Sequence, residues 1–383
     1  MALPDSNAAA SAWLERIPQA QRIAAQAFTD WQLTAWAVGG LILLGACLLV
    51  SWSGLPARLR RMAESERPRP WLTSALIASV LALLLSALKA VIDAVTDWRG
   101  ERILGSGGAG LGAHLAHAAA GVAPTVFAAV VLTPPLLWLM RRLPRTWPLI
   151  VGGAVTALIV AVVWLPYALS IGSPTTPAAA GPVRDGLLQL IAETGVPAHG
   201  VYASSDPAFD ADVNGGFGVA RVSVGPLIAA DSPAEARAFI GHIMGHFVHN
   251  DILIVSLVLG VVMLLAFFAI AWLAAPLARL IGAKSLASAA DPEALPAIAI
   301  ILMAAMVCAG LAEAGYLRWA NVRADAFSLD HAREPDGLAA VIEQEWDHES
   351  VDPSPLEEAL FYTHPAMPGR IRHALAWKAA HGG

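Results

Sequence analysis

Six long stretches of the chain are apolar and almost free of charged residues. A helix needs about 20 such residues to cross the hydrocarbon core of a bilayer. The stretches cover residues 31–52, 71–88, 103–140, 149–169, 252–275 and 295–311. The pattern therefore predicts six transmembrane helices. The third helix is expected to begin near Gly112, because the residues before that position are rich in glycine.

Two polar blocks separate and follow these stretches, at residues 170–251 and 318–383. The fold class predicted from this pattern is a mainly α, polytopic membrane protein of about six spans. The two polar blocks are expected to form one small α+β domain. The predicted organisation is a surface helix at 1–30, a four-span region at 31–169, block 170–251, a two-span hairpin at 252–317 and block 318–383.

The first polar block carries signals for short elements. We predict a helix over 183–194 and β-like segments at 200–204 and 218–228, with a turn-like stretch from Asp212 to Gly216 between them. The sequence Asp231-Ser232-Pro233 has the composition of a helix start. That helix is expected to run through Asn250 directly into the fifth span.

Composition excludes several classes of protein. Of the 383 residues, 57% are hydrophobic and only 14% are charged, whereas soluble domains have about 25% charged residues. This excludes an ordinary soluble enzyme. The formal net charge of −6 gives no basic surface for nucleic acid, so no nucleic-acid partner is expected.

Candidate metal chemistry lies on the helix before the fifth span, in the sequence His242-Ile243-Met244-Gly245-His246. Two His four residues apart project from one helical face and can share a zinc ion. In the H-E-x-x-H signature, the residue after the first His is the Glu that serves as general base. Here that residue is Ile243. The spacing alone therefore leaves open a metal site and a paired structural role.

Several separated motifs occur in an order that resembles one known family, the type I CAAX prenyl endopeptidases. These integral-membrane zinc metallopeptidases are related to the bacterial heat-shock membrane proteases. The resemblance covers about residues 90–377. The motifs that carry it are Trp98-Arg99-Gly100-Glu101-Arg102, Asn214-Gly215-Gly216, Arg221-Val222-Ser223-Val224, His242 to His246 with His249-Asn250-Asp251, Asn321-Val322-Arg323-Ala324-Asp325, and Tyr362-Thr363-His364-Pro365 with Arg370-Ile371.

The resemblance implies roles for individual residues. It implies that His242 and His246 bind zinc, that Asn321 stands where the family has a third ligand Glu, and that Ile243 stands where it has the general base. It further implies that Asp325 supports a ligand and that His364 faces the cleft. It implies that Asn214 and Gly216 belong to a strand edge that pairs with an extended peptide.

Two departures from the family pattern change the functional hypothesis. Ile243 cannot accept a proton, and the neutral amide oxygen of Asn321 is a weaker zinc ligand than a carboxylate. We therefore expect a catalytically impaired metallopeptidase homologue that acts by binding a peptide or protein, with zinc bound weakly or not at all. The alternative is an active zinc metalloendopeptidase in which another carboxylate has taken over, for example Glu313.

A third hypothesis is a transporter or channel, because Lys89, Asp93 and Asp97 share one helix face and His114 and His117 share another. The structural interpretation is a mutually paired face for the first three residues and a polar lining of a chamber or interface for the two His. His249 is too far along the helix to share an ion with His242, and Asp251 is interpreted as a charge at a helix end.

The expected location is the plasma (inner) membrane, as a multi-pass protein in contact with lipid. The loops after the first, third and fifth spans are rich in Arg, which places both polar blocks outside the cytoplasm by the positive-inside rule. The family resemblance implies the opposite orientation, with the site open to the cytosol. The side of the membrane that the domain faces is left open.

Overall fold

A computed structural model describes residues 11–283, 286, 288–344 and 349–382. The first ten residues of the predicted surface helix at 1–30 lie outside the described residues. The chain is dominated by long helices, which we number in chain order together with the strands.

The first half of the chain is helical. Its elements are α1 (Gln19–Trp52), α2 (Leu55–Ala63), α3 (Pro70–Leu104), α4 (Leu111–Ala119), α5 (Val122–Arg142), α6 (Trp147–Ile159) and α7 (Leu165–Ala168), the last two joined by a π-helical turn. The middle part is mixed and contains β1 (Thr176–Pro177), α8 (Pro182–Thr194), β2 (Ala198–Ala203), β3 (Ala211–Gly216), β4 (Val219–Val224), α9 (Pro226–Ala230) and α10 (Pro233–Val248). The remainder is helical again, with α11 (Asp251–Leu280), α12 (Leu295–Ala332), α13 (Pro335–Gln344), α14 (Pro355–Phe361) and α15 (Met367–His381).

Six helical segments of the described chain are long and apolar enough to cross a membrane. They are Gln19–Trp52, Pro70–Leu104, Leu111–Arg142, Trp147–Ala168, Asp251–Leu280 and Pro292–Ala332. The predicted number of spans and the mainly α, polytopic fold class are confirmed.

Three boundaries differ from those predicted. Helix α1 already begins at Gln19, so the end of the predicted surface segment and the first span form one helix. Helix α12 continues without a break to Ala332, which carries the start of the second polar block on the same helix as the sixth span. Helix α10 ends before the fifth span, because Asn250 adopts a left-handed conformation with φ 56° that stops helical hydrogen bonding.

The four strands form one mixed sheet in the order β1-β2-β4-β3. Strands β2 and β4 are parallel, and β3 is antiparallel to β4 with Asn214 opposite Arg221. The stretch from Asp212 to Gly216, predicted as a turn, is therefore strand β3. Its pairing with β4 outweighs its turn-like composition, and the turn itself lies at Phe217 and Gly218.

The chain divides into two compact units. One unit, the span unit, comprises Ala27–Val155 and Gly260–Ala309. Its core contains large buried side chains such as Ile77 and Leu137. Lys89 Nζ lies 2.6 Å from Asp93 Oδ2, as expected for oppositely charged residues four apart on a helix.

The other unit, the site unit, contains the residues up to Gln26, Thr156–Leu259 and all residues from Gly310 onward. One apolar cluster joins α8, the sheet and α10 through residues such as Leu187, Val222 and Ile240. A second cluster joins the N-terminal segment to α12, α13 and α15 through Ile17, Leu329, Leu338 and Ile371. These two clusters fix the helices that carry the candidate site.

Candidate metal site

The candidate site lies where α10 crosses α12 within the site unit. Helix α10 begins at a capping box, in which Ser232 and Glu235 bind each other's backbone N–H groups. Two glycines allow the close crossing. A Cβ atom on Gly245 would lie 2.8 Å from Ala324 Cα, and one on Gly241 would lie 3.0 Å from Ser328 Oγ. The crossing brings the two His of α10 against the polar face of α12.

His242 is buried and is held by Asp325. Its Nδ1 lies 2.7 Å from Asp325 Oδ1, and because a carboxylate only accepts, the proton resides on Nδ1. Arg370 donates to both oxygens of the same carboxylate, each at 2.8 Å. Burial lowers the pKa of His242 below its usual range despite Asp325. The ring is therefore neutral, with a lone pair on Nε2.

His246 is held in the same way by a second buried carboxylate, Asp251. Its Nδ1 donates to Asp251 Oδ2 at 2.8 Å. The other oxygen of Asp251 accepts from Tyr316 Oη at 2.5 Å and from Arg323 Nη2 at 2.6 Å. Asp251 was interpreted from sequence as a charge at a helix end. The structure places it 1% exposed, as the group that fixes the His246 tautomer.

His242 and Asn321 each place a potential metal-binding atom next to Nε2 of His246. The Nε2 atoms of His242 and His246 are 3.1 Å apart, and Asn321 Oδ1 lies 3.2 Å from His246 Nε2. The amide nitrogen of Asn321 donates to the carbonyl groups of Leu317 and Thr363, which orients the oxygen toward His246. Lone pairs that face one another at this distance repel unless a cation or a proton lies among them.

This donor set fits a zinc ion. Tetrahedral zinc with nitrogen ligands at about 2.0–2.1 Å places those ligands roughly 3.3 Å apart, which is close to the spacing observed here. Each His also donates its other ring nitrogen to a carboxylate, as metal-bound His residues do. No group of three or more His, Cys, Asp or Glu residues suited to a metal occurs in the described part of the chain, since the third ligand here is the amide of Asn321.

Each carboxylate of the site already forms an ion pair with an Arg side chain. Asp325 is paired with Arg370, and Asp251 is paired with Arg323. Asn321 is neutral and both carboxylates are already paired, so the charge of a bound dication would have no adjacent uncompensated anion. The geometry therefore fits zinc, while the charge predicts weaker binding than a site with a ligand carboxylate.

No carboxylate of the described site is free to act as a base. Asp325 and Asp251 each accept hydrogen bonds on both oxygens from the groups described above. Ile243, at the position of the general base, packs partly buried against the apolar cluster of the sheet and α10. Glu313, considered from sequence as a substitute, makes no hydrogen bond or ion pair with the His pair or Asn321 within the described residues.

His364 lies beside the His pair. Its ring is stacked near that of His242, with the ring centres 6.5 Å apart. Arg318 and Asn321 of α12 position this segment, because both donate to carbonyl groups at residues 358–363. A cavity of about 650 Å³ opens at His364 and also contains the carboxylates of Asp210 and Asp231.

The predicted peptide edge is strand β3. Asn214 is buried, and its amide donates to Ser173 Oγ at 2.6 Å and Asp212 Oδ2 at 2.8 Å. The Val213 carbonyl accepts from Tyr167 Oη, and a Cβ on Gly216 would lie 3.0 Å from the Cβ of Ala168. Helix α7 therefore already contacts part of this edge, and the role of Asn214 and Gly216 in peptide binding stays a prediction.

The remaining candidates lie elsewhere or have other partners. His114 contacts Glu101 at 3.3 Å in the span unit, and His249 Nδ1 contacts the Gly245 carbonyl. Sequence reasoning missed Tyr316 and Arg323. Tyr316 and Arg323 lie seven residues apart, and therefore on one face of α12, so a polar pair at that spacing was the available signal.

Fold and site together define a multi-pass membrane protein whose α+β unit carries a metallopeptidase-like His pair. The model of peptidase family M48 matches residues 177–378, which is more than half of the chain and includes the whole site. The chain belongs to peptidase family M48, whose members are zinc metallopeptidases. The family resemblance inferred from the motifs is confirmed.

A search of curated proteins finds no match. Among solved structures, the chain is similar to the crystal structure of S. mikatae Ste24p, with 14% sequence identity and a TM-score of 0.48. That match covers 88% of this chain and 98% of the other.

Proposed function

We propose that this M48 protein is a catalytically impaired membrane metallopeptidase homologue that holds zinc weakly and binds a peptide in its cleft. The observation that carries the proposal is the convergence of His242, His246 and Asn321 at a site where both neighbouring carboxylates are fully hydrogen-bonded. Three side chains that can bind a metal are present, whereas the general base of the family is absent.

Some residues of the site would bind the metal, and others would orient those ligands. His242, His246 and Asn321 would hold the ion, and a bound zinc would polarise a carbonyl group of a peptide. Asp325 and Asp251 keep both imidazole rings in the tautomer that presents Nε2. Arg370 and Arg323 hold those carboxylates in place.

The loss of hydrolysis is argued from Ile243. A general base contributes about 10²–10⁴ to the rate of such a reaction, and an alkyl side chain cannot take a proton from water. Asn321 adds a second loss, because a neutral amide leaves the charge of the metal less compensated than Glu would. Both changes lower turnover without removing the cleft.

A peptide or protein segment is the proposed partner, bound in the cavity at His364 and along the free part of β3. Asp210 and Asp231 line that cavity, so a segment with a basic side chain fits its charge. The proposed location is the plasma (inner) membrane, because six helical segments are long and apolar enough to need a bilayer. No nucleic-acid partner is proposed, because the net charge of −6 gives no basic surface.

The test measures zinc and hydrolysis on the same sample. We would purify the full chain in detergent, dialyse it against buffered zinc, and determine metal per chain by elemental analysis beside His242→Ala. A library of quenched fluorescent peptides would report hydrolysis, and the same peptides without the quencher would report binding by anisotropy. We expect the parent protein to bind zinc and His242→Ala to lose it. We also expect the parent to bind peptides without cleaving them in a zinc-dependent reaction.

Two outcomes would contradict the proposal. Zinc content equal to that of His242→Ala would remove the metal site. Cleavage that chelators abolish would favour the second candidate, an active zinc metalloendopeptidase. The observation on its side is His364, whose ring stands beside His242 in the cleft and could form a hydrogen bond with a substrate. Loss of such cleavage in His364→Gln would assign it to that residue.

A further inference from the structure

The turn between β3 and β4 has an unusual residue for its conformation. Phe217 and Gly218 both have positive φ, of 54° and 85°, which is the backbone of a tight type I′ hairpin turn. That turn favours Asn, Asp or Gly at its first central position, because a side chain there is strained. Phe217 instead exposes 77% of its surface. A strained and exposed aromatic residue suggests a role beyond folding.

The turn lies against the end of a membrane span. The Phe217 ring packs edge-on against Trp164, with ring centres 5.8 Å apart. Trp164 belongs to the segment Trp147–Ala168, which is long and apolar enough to cross a membrane. Aromatic residues are enriched at the interface between lipid and water. The hairpin tip therefore contacts the last turns of this apolar helical segment.

The surface around the turn is apolar as well. Leu169 and Ile171 follow the span, and Val219 follows the turn; all three are more than half exposed. Exposed apolar side chains that continue the surface of a membrane helix fit contact with lipid better than contact with water. We define Phe217, Val219, Leu169 and Ile171 as the hairpin patch.

A cation lies beside the hairpin patch. A cavity of about 370 Å³ is lined by Phe217, Val219, Leu169 and also by Arg221. The guanidinium of Arg221 lies 4.6 Å above the Tyr202 ring and donates to the Pro174 carbonyl. No carboxylate of the described residues forms an ion pair with it. A guanidinium next to apolar side chains matches the phosphate and upper acyl chain of a phospholipid.

We infer that the hairpin patch is a lipid-contact surface, in which Phe217 and its neighbours lie among acyl chains and Arg221 binds a lipid phosphate. The occupant is bilayer phospholipid. This surface is separate from the His pair, so the inference does not depend on the proposed function. It gives the site unit a second attachment to the membrane besides its helices.

Spin labels test the immersion of the patch. The full chain with Cys47→Ala and Cys308→Ala would carry a single label at Phe217→Cys or Val219→Cys, in nanodiscs that contain phosphatidylglycerol. Gln189→Cys, on the exposed face of α8, is the matched control. Collision with oxygen, which concentrates in lipid, is compared with collision with a water-soluble nickel chelate.

We expect a ratio of oxygen to nickel collision severalfold higher at 217 and 219 than at 189. Ratios equal to that at 189 would overturn the inference, because they would place the patch in water. Labels shielded from both reagents would also overturn it, because they would show a protein cover. If Phe217→Cys fails to fold, as judged by its elution profile, Val219→Cys decides alone.

The role of Arg221 has its own test. Native mass spectrometry would count the phosphatidylglycerol molecules retained by Arg221→Gln and by Arg372→Gln, an exposed Arg on α15. We expect fewer retained lipids in Arg221→Gln than in the control. Equal retention would overturn the assignment of Arg221 to a lipid phosphate.

Discussion

His246 Nδ1 donates to Asp251 Oδ2 over 2.8 Å across the break between α10 and α11. The break is made by Asn250, whose left-handed backbone turns the chain so that the first residue of α11 reaches back to the last turn of α10. A continuous helix would not place residues five apart on the same face. The end of the helix is thus part of the metal site.

The first prediction concerns this contact. Asp251→Asn should lower zinc affinity by about 10- to 100-fold, because the amide can offer its nitrogen to His246 and release the Nδ1 tautomer. Competition with a chromophoric chelator measures the affinity. Asp330→Asn, an exposed change on α12, is the control. An unchanged affinity in Asp251→Asn would show that His246 needs no support from this carboxylate.

The second prediction restores the missing carboxylates. Ile243→Glu together with Asn321→Glu should raise zinc affinity and produce peptide cleavage that chelators abolish. Asn321→Glu alone should raise affinity without cleavage, since only position 243 supplies the base. Ile243→Gln with Asn321→Glu controls for size and polarity. A double variant that binds no more zinc than the parent would refute the alignment of these positions.

The third prediction tests the helix crossing. Gly245→Ala should destabilise the site unit by about 1–3 kcal/mol, because its Cβ would press on Ala324 Cα. Gly315→Ala, at an open position of α12, should be neutral or slightly stabilising. Thermal unfolding in detergent compares the two variants. Equal transition temperatures would mean that α10 and α12 can separate at no cost.

The fourth prediction concerns pH. The folded state holds the pKa of His242 below the ordinary value of about 6.5, so the unfolded chain binds a proton first as pH falls. In the metal-free protein, the contribution of His242 to the free energy of unfolding is therefore fully present above that pH. It decreases as the pH falls below that value, by up to about 1.4 kcal/mol per pH unit.

Unfolding of chelator-treated protein between neutral pH and about pH 5 checks this dependence. His242→Gln should remove the part of the slope that His242 contributes, because Gln can still donate to Asp325 and does not titrate. The part that remains is assigned to His364, because burial lowers its pKa to about 3. His381→Gln, at an exposed site on the last helix, should leave the slope as it is. A slope equally steep in His242→Gln would assign the loss to other groups.

The fifth prediction concerns the cavity at His364. Binding of a basic peptide should weaken as salt concentration rises, because exposed charge pairs are screened. The double variant Asp210→Asn, Asp231→Asn should bind the basic peptide more weakly than the parent does, and its binding should depend less on salt. A neutral peptide of equal length serves as the control ligand. Salt-independent binding in the parent would show that these carboxylates do not contact the peptide.

Much of this architecture was accessible from sequence. The six spans follow from uncharged runs of sufficient length, since the bilayer allows few other structures for such segments. Asn321 and Asp325 were identified through the family resemblance, and the His pair from its helical spacing, which is a local property. The helix start at Ser232 was found for the same reason.

Other features were not accessible. Strand β3 was predicted as a turn because its composition is turn-like, and only its partner β4 makes it a strand. Asp251 does begin α11, as its interpretation as a helix-end charge predicts, but nothing local shows that His246, Tyr316 and Arg323 surround it. The exposure of Phe217 beside Trp164 likewise joins residues more than 50 positions apart.

The sequence by itself determined the class of the molecule and its spans, because hydropathy and length are carried by the residues themselves. It also shows Ile243 and Asn321 at two positions of the family motif. The tertiary structure decided how the donors converge, which carboxylates are already occupied, and where α10 ends. Those properties depend on the close packing of helices at Gly241 and Gly245, and packing between distant segments leaves no signature in either segment alone.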